Sequence, residues 1–299
     1  MDLSGKTVAV TGASGMIGVY ICRALLKRGA KVLGVVRNPE KAAFLAKEGV
    51  EFRRADLTDR VSLEAAFAGC DAAVSNAALY RLTALDWESN YRPNKEGTEN
   101  VYRAAAKNGI RRAVQISTIG LYQFSIFNEI DENSPQVNGK AREGGAYRAT
   151  KQLSEALAWR LSREYGIALT ALRPSAVYGA RDSNIMPYLA KLMQLPFLPF
   201  PGFAWPLVYA GDVADAVVAS LESDRTAGEA YNTTGDTSDF ADFLAAWQRV
   251  SGRGYVLKIT PSFGIRVSHA KASRDLGFRN RPFDEALAEI FAEEPELLR

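Results

Sequence analysis

The sequence predicts an α/β protein: a doubly wound parallel sheet followed by a smaller C-terminal lobe. Three observations lead there. Short apolar runs alternate with segments whose apolar residues recur at three- and four-residue spacing, in βα order as far as Arg173. A glycine-rich turn, Thr11-Gly-Ala-Ser-Gly-Met-Ile-Gly18, joins the first run to the first helical pattern. Beyond Arg173 the alternation breaks, and Pro174, Pro187, Pro196, Pro199, Pro201 and Pro206 punctuate a strongly apolar stretch.

In order, strands are expected at 7–11, 31–36, 51–53, 72–76, 112–116 and 168–173. Helices are expected between them at 16–28, 39–47, 61–67, 94–107 and 146–165. Gly29, Gly49, Gly109 and Gly166 stand where a left-handed residue closes a helix. Repeated βα units joined by right-handed crossovers put helices on both faces of one parallel sheet. The later chain reads as a helix at 212–221, a strand at 230–233, a helix at 240–250, a strand at 255–259 and a last helix at 284–292. The expected division is therefore 1–175 with 207–234 for the sheet domain, and 176–206 with 235–299 for the lobe.

Composition narrows the function. The 299 residues are 47% hydrophobic and 24% charged, ordinary values for a soluble enzyme. Net charge is +3, from 37 basic and 34 acidic residues, with no dense Lys/Arg run, which argues against a nucleic-acid partner. No apolar run approaches the roughly 18–20 residues of a membrane span. The first strand begins within a few residues of Met1, which leaves no room for a signal peptide. Cys22 and Cys70 sit in apolar contexts and are expected to be reduced thiols, so a cytoplasmic location is expected. His269 is the single histidine, and it lies in a polar stretch where solvation is expected. A Ser-His-Asp triad or a His-rich metal site would rest on it alone, so no metal is expected.

Two motifs carry chemistry. Gly12-x-x-Gly15-x-x-Gly18, with Ser14, Met16 and Ile17 between the glycines, places a tight turn at a helix N-terminus, where a pyrophosphate binds. Tyr147-x-x-x-Lys151 puts a phenol and an ammonium on one helix face. A free tyrosine ionises near pKa ~10 and is a poor base at neutral pH. A neighbouring ammonium favours its phenolate.

In this order and separation the two motifs resemble the short-chain dehydrogenase/reductase superfamily. Further segments extend the likeness over essentially the whole chain to its extended branch, the NAD-dependent epimerase/dehydratase family. Arg173-Pro-Ser-Ala-Val-Tyr-Gly179, Val208-Tyr-Ala-Gly-Asp212-Val-Ala and Leu276-Gly-Phe278 look like motifs of that branch in the same order. The resemblance implies a Rossmann sheet with a substrate-binding lobe and a nicotinamide cofactor. It implies that Tyr147 exchanges the proton and that Lys151 also binds the nicotinamide ribose. In Ser117-Thr118-Ile-Gly-Leu-Tyr122 it implies that Thr118, or the adjacent Ser117, binds the substrate oxygen, although strand-end Ser and Thr also cap helices. Asn94, in Asn94-x-x-Gly97-Thr98-x-Asn100, has an implied supporting role. Asp56-Leu57 would contact the adenine. Asn76-Ala77-Ala78 would line the dinucleotide, though Asn76 also suits a strand-end turn. Pro174, Ser175 and Val177 would fold over the nicotinamide.

The end of the second strand bears on the choice of cofactor. An acid there would bind the ribose hydroxyls of NAD, whereas an Arg pairs with the 2′-phosphate of NADP. The strand ends Val35-Val36-Arg37-Asn38, with Lys41 a turn further on, so NADP(H) is expected and NAD(H) is the alternative. Trp205-Pro206 stands where nucleotide-sugar enzymes of the branch carry a phosphate-binding Arg. The expected activity is therefore reduction or oxidation of a small, relatively apolar carbonyl or alcohol. A nucleotide-sugar epimerase or dehydratase is the alternative, and a non-catalytic dinucleotide sensor is a more distant one. Helices 94–107 and 146–165 would supply the seam of a homodimer.

Overall fold

A computed structural model describes the chain except residues 78–86, 138–144, 184, 196–197, 237–239, 253–255 and 299. Its first half alternates β1 (Thr7–Thr11), α1 (Met16–Lys27), β2 (Lys31–Val36), α2 (Ala43–Lys47), β3 (Glu51–Arg54), α3 (Arg60–Ala66) and β4 (Ala72–Ser75). It continues through α4 (Trp87–Lys107), β5 (Arg112–Ile116), α5 (Gly145–Tyr165) and β6 (Ala168–Pro174). With β10 (Ala230–Thr233), these strands form one parallel sheet in the order β10-β6-β5-β4-β1-β2-β3. This is the α/β Rossmann arrangement expected from the sequence.

Side-chain alternation along β1 explains why both faces are covered. Val8 and Val10 point into a core shared with α1 (Ile21, Leu25) and α7 (Ala210–Glu222) through Val213 and Val217. Ala9 points the other way, into a core with Leu63, Tyr102 and Leu161 of α3, α4 and α5.

The later chain holds β7 (Ala176–Tyr178), α6 (Met186–Leu192), β8 (Leu198–Ala204), β9 (Leu207–Tyr209), α8 (Phe240–Ser251), β11 (Val256–Gly264), α9 (Ala270–Leu276) and α10 (Phe283–Glu293). A third core joins Tyr178, Leu189, Phe243, Trp247, Leu287 and Phe291. No helix among the described residues is long and apolar enough to cross a membrane.

The structure departs from the sequence reading in several places, among them α9 and β7, which the sequence did not announce. The helix expected at 39–47 divides into a 3-10 turn, Pro39–Ala42, and α2, because Ala42 leaves helical geometry with φ −121 and ψ 19. The helix carrying Asn94 starts earlier, at Trp87. The proline-punctuated stretch is ordered as α6, β8 and β9. β8 tolerates its prolines because, among the described residues, it pairs with β11 alone and so keeps an edge needing no donor. Finally, His269 is bonded rather than simply solvated: its ring nitrogens lie 2.9 Å from Ser273 Oγ and 2.9 Å from Asp236 Oδ1.

Candidate active site

The sheet order reverses between β1 and β4, so a crevice opens beyond their C-terminal ends. The glycine turn sits at its mouth. Gly12 has φ +67, and a Cβ there would lie 2.9 Å from Ala77 Cα. A Cβ on Gly18 would lie 2.2 Å from Gly12 O, so helix and turn approach this closely only with glycine. The N-cap of α1 is Gly15, which has no capping side chain. The first-turn N–H groups therefore await an acceptor at the positive end of the helix dipole. Ser14 and Gly15 are exposed, and Met16 and Ile17 half-buried. Glycine cradle and uncapped helix together fit a dinucleotide pyrophosphate.

The opposite wall is held by Thr11, which opens the glycine-rich turn and has no role in the phosphate-binding pattern itself. Thr11 Oγ1 accepts from Asn76 N at 3.0 Å and Ala77 N at 3.1 Å, and lies 3.3 Å from Val74 O, which it bonds as donor. Asn76 Nδ2 donates to Gly12 O at 3.3 Å. Asn76 and Ala77 thus line the crevice against the glycine turn, while Ala78 lies outside the described residues.

At the far end, Arg37 and Lys41 are exposed, and among the described residues no carboxylate pairs with Arg37. Asp56 is occupied locally: its Oδ1 accepts from Thr58 N at 2.9 Å and Thr58 Oγ1 at 2.8 Å, and these bonds hold its pKa below the usual carboxylate value. Leu57 is fixed by α4. Asn100 Nδ2 donates to Leu57 O at 2.8 Å, and a Cβ at Gly97 would come within 3.0 Å of Leu57 Cβ. Two residues of the Asn94-x-x-Gly97-Thr98-x-Asn100 motif therefore shape the loop at Asp56-Leu57. Asn94 reaches the other way: its Nδ2 lies 3.4 Å from Thr150 Oγ1 on α5, and Thr98 Oγ1 donates to the Asn94 carbonyl at 2.7 Å.

The Tyr147-to-Lys151 turn of α5 packs against the C-terminal end of β5. Lys151 Nζ donates to Ile116 O at 2.8 Å and is buried. An ammonium has three protons, so further donors remain beyond that bond. Tyr147 is half-buried one turn earlier. Ser117 is buried and Thr118 half-buried, immediately beyond Ile116. Thr118 Oγ1 accepts from Gly120 N at 3.0 Å, capping the short turn Ile119–Leu121. A hydroxyl that accepts one bond still has its proton to donate. Pro174 ends β6, Ser175 is buried and Val177 half-buried, at the same edge of the sheet.

A buried ion pair stands behind Lys151. Glu155, one turn on, takes Arg173 Nε at 3.2 and 3.1 Å, and Trp159 Nε1 donates to it at 3.1 Å. Arg173 Nη1 donates to Tyr122 OH at 2.6 Å, and Tyr122 OH donates to Asn232 Oδ1 at 2.9 Å. Burial pushes Glu155 toward protonation, but Arg173, with smaller contributions from Ser117 and Trp159, keeps the carboxylate below its usual pKa. The spacing Lys151-x-x-x-Glu155 was visible in the sequence; its buried cation was not.

Burial lowers the Lys151 pKa to about 8 from an ordinary 10.5, and Glu155 opposes the shift. The sign of the consequence is definite. The unfolded chain holds this proton up to about 10.5 and the folded protein only to about 8, so stability rises with pH across that window and is unaffected below it. Denaturant midpoints of ligand-free wild type and Lys151→Met are expected to move in the wild type's favour from pH 8 to 10. A pH-independent difference would contradict the buried ammonium.

The model of the NAD-dependent epimerase/dehydratase family matches residues 8–233. Cinnamoyl-CoA reductase 1 of Petunia hybrida is 33% identical over 192 residues, 60% of this chain and 56% of that protein. Dihydroflavonol 4-reductase of Arabidopsis thaliana is 30% identical over 203 residues, 61% of this chain and 52% of that protein. The chain thus spans little more than half the length of these curated relatives. Among solved structures, UDP-glucuronic acid 4-epimerase from Bacillus cereus, in complex with NAD, superposes with a TM-score of 0.81. It is 22% identical, and the match covers 98% of this chain and all of that one (100%), a likeness of fold.

Proposed function

This chain belongs to the NAD-dependent epimerase/dehydratase family, and from that premise we propose that it is an NADP-dependent oxidoreductase acting on the carbonyl or secondary alcohol of a small, relatively apolar substrate. The observation that carries the reading is the bond from Lys151 Nζ to Ile116 O. It joins the Tyr147/Lys151 face to the strand end bearing Thr118. Bound nicotinamide supplies or accepts the hydride. In this reading Tyr147 exchanges the proton of the substrate oxygen, Thr118 donates a hydrogen bond to that oxygen, and Lys151 favours the phenolate and binds the ribose. Ser117 and Asn94 support them. Gly12, Ser14, Gly15, Met16, Ile17 and Gly18 hold the pyrophosphate, with Asn76 and Ala77 lining the dinucleotide, Pro174, Ser175 and Val177 over the nicotinamide and Asp56-Leu57 at the adenine. Residues 176–206 and 235–299 form the substrate lobe.

The NADP preference rests on Arg37, an exposed planar cation that forms no ion pair among the described residues, at a strand end that lacks an acid. Arg37→Asp is expected to weaken NADPH binding far more than NADH binding, because a repelling carboxylate replaces a phosphate partner. Isothermal titration with both cofactors checks this, and a wild type preferring NADH would reverse the assignment.

Two observations support net reduction of an apolar substrate. The two curated relatives named above are reductases by name, and Trp205-Pro206 supplies no cation for a diphosphate, which would be costly to desolvate unpaired. The test is NADPH oxidation against a panel of aromatic and alicyclic ketones, aldehydes and UDP-sugars, with UDP binding measured in parallel. Turnover of a ketone or aldehyde without saturable UDP binding at millimolar concentration is expected. Micromolar UDP binding lost in Arg266→Ala would favour the epimerase/dehydratase alternative. Cofactor binding without any turnover would favour a dinucleotide sensor.

A further inference from the structure

Arg148 follows Tyr147 on α5, and its guanidinium bonds backbone carbonyls. It is half-buried, and among the described residues it forms no ion pair; burial alone pulls its pKa below the ordinary arginine value. Its donors go instead to backbone. Nε donates to Gly120 O at 2.6 Å, and Nη2 donates to Tyr122 O. Its stem packs as well: a Cβ built on Gly120 would lie 3.4 Å from Arg148 Cγ and 3.3 Å from Thr118 Oγ1, so Gly120 is sandwiched between the two side chains. Gly120 N in turn fills one acceptor site of Thr118 Oγ1.

The guanidinium plane also reaches toward the lobe. It lies 4.2 Å above the ring centroid of Phe124, and Phe124 meets Trp205 edge-on at 5.5 Å and 85°. Ile119, Leu121, Tyr122, Ile130, Ile265 and Val267 form a small core that backs this turn, and Ile130 bridges to Val267 across it. The segment carrying Thr118 therefore packs against the lobe on one side and is clamped by Arg148 on the other.

We propose that Arg148 is a positioning residue for the reaction: it holds the Thr118–Tyr122 turn so that the Thr118 hydroxyl keeps its lone pair on Gly120 N and its proton toward substrate, and it ties that turn to Trp205. This rests on the reading in which Thr118 binds the substrate oxygen. Arginine suits the task because one planar group serves two carbonyls and an aromatic face together. Lysine would serve one carbonyl as a point charge, and methionine would keep only the stem.

Two measurements test this, one of them independent of substrate. In ligand-free protein, hydrogen exchange of the peptide spanning 118–124 is expected to speed up roughly tenfold in Arg148→Met and less in Arg148→Lys, with α1 amides unchanged. In turnover of NADPH with a ketone from the panel, Arg148→Met is expected to lower kcat roughly 10- to 100-fold while leaving the KM for NADPH as it was, with partial recovery in Arg148→Lys. In a Thr118→Ala background the same substitution should cost little more, because its effect passes through Thr118. Unchanged exchange at 118–124, or losses that multiply fully in the double variant, would overturn the proposal. If wild type reduces nothing in the panel, the proposed activity fails, and the exchange result alone decides whether Arg148 clamps the turn.

Discussion

Tyr147→Phe is expected to retain the fold and cofactor affinity while lowering turnover about 10²-fold or more, the scale of a lost general acid–base group. The substitution removes one oxygen and keeps the ring, and Tyr147 is only half-buried, so packing changes little. Lys151→Met should damage turnover and cofactor binding together. Its ammonium is buried against Ile116 O, and in the proposed mechanism its remaining protons serve the phenol and the ribose. Single-turnover rates and cofactor titrations on both variants separate the two effects. Near-normal turnover in both would remove the pair from the mechanism.

The largest expected effect on stability lies behind the site. Glu155→Ala leaves the Arg173 guanidinium buried without its carboxylate, and removing one member of such a pair costs about 3–5 kcal/mol. Arg173 would keep its bond to Tyr122 OH, but a phenol does not neutralise a charge. The double variant Glu155→Leu/Arg173→Met should recover much of the loss, since burying neither charge removes both desolvation costs. Urea midpoints for the single and double variants decide the matter. Equal destabilisation in both would show that the bonds to Trp159 and Tyr122 dominate instead of the charge pair.

Much of the site was legible because its parts are local. Tyr147 and Lys151 share a helix face by spacing alone, and Gly12, Gly15 and Gly18 announce a strand–turn–helix crossing within eight residues. The resemblance points to Thr118 with Ser117 as the adjacent candidate, and residue type alone does not separate them. Adjacent residues at a strand end differ only in which way they face, and the structure buries Ser117 while leaving Thr118 half-exposed. The polar stretch around His269 read as solvated because its partner Asp236 arrives from another loop.

The sequence by itself therefore determined the βα order, the parallel sheet, the glycine-rich turn and the placing of Tyr147 and Lys151 on one helix face. Each follows from backbone propensity or side-chain period over one or two turns of chain. Only the tertiary structure decided that Thr11 braces Ala77, that Arg148 clamps Gly120 and Tyr122, that Glu155 meets Arg173, and that β8 pairs with β11 despite its prolines. Those contacts join residues far apart in the chain, so they depend on which elements the sheet order makes neighbours. Burial follows from the same packing, and burial sets what Lys151 and Arg173 cost and what they do.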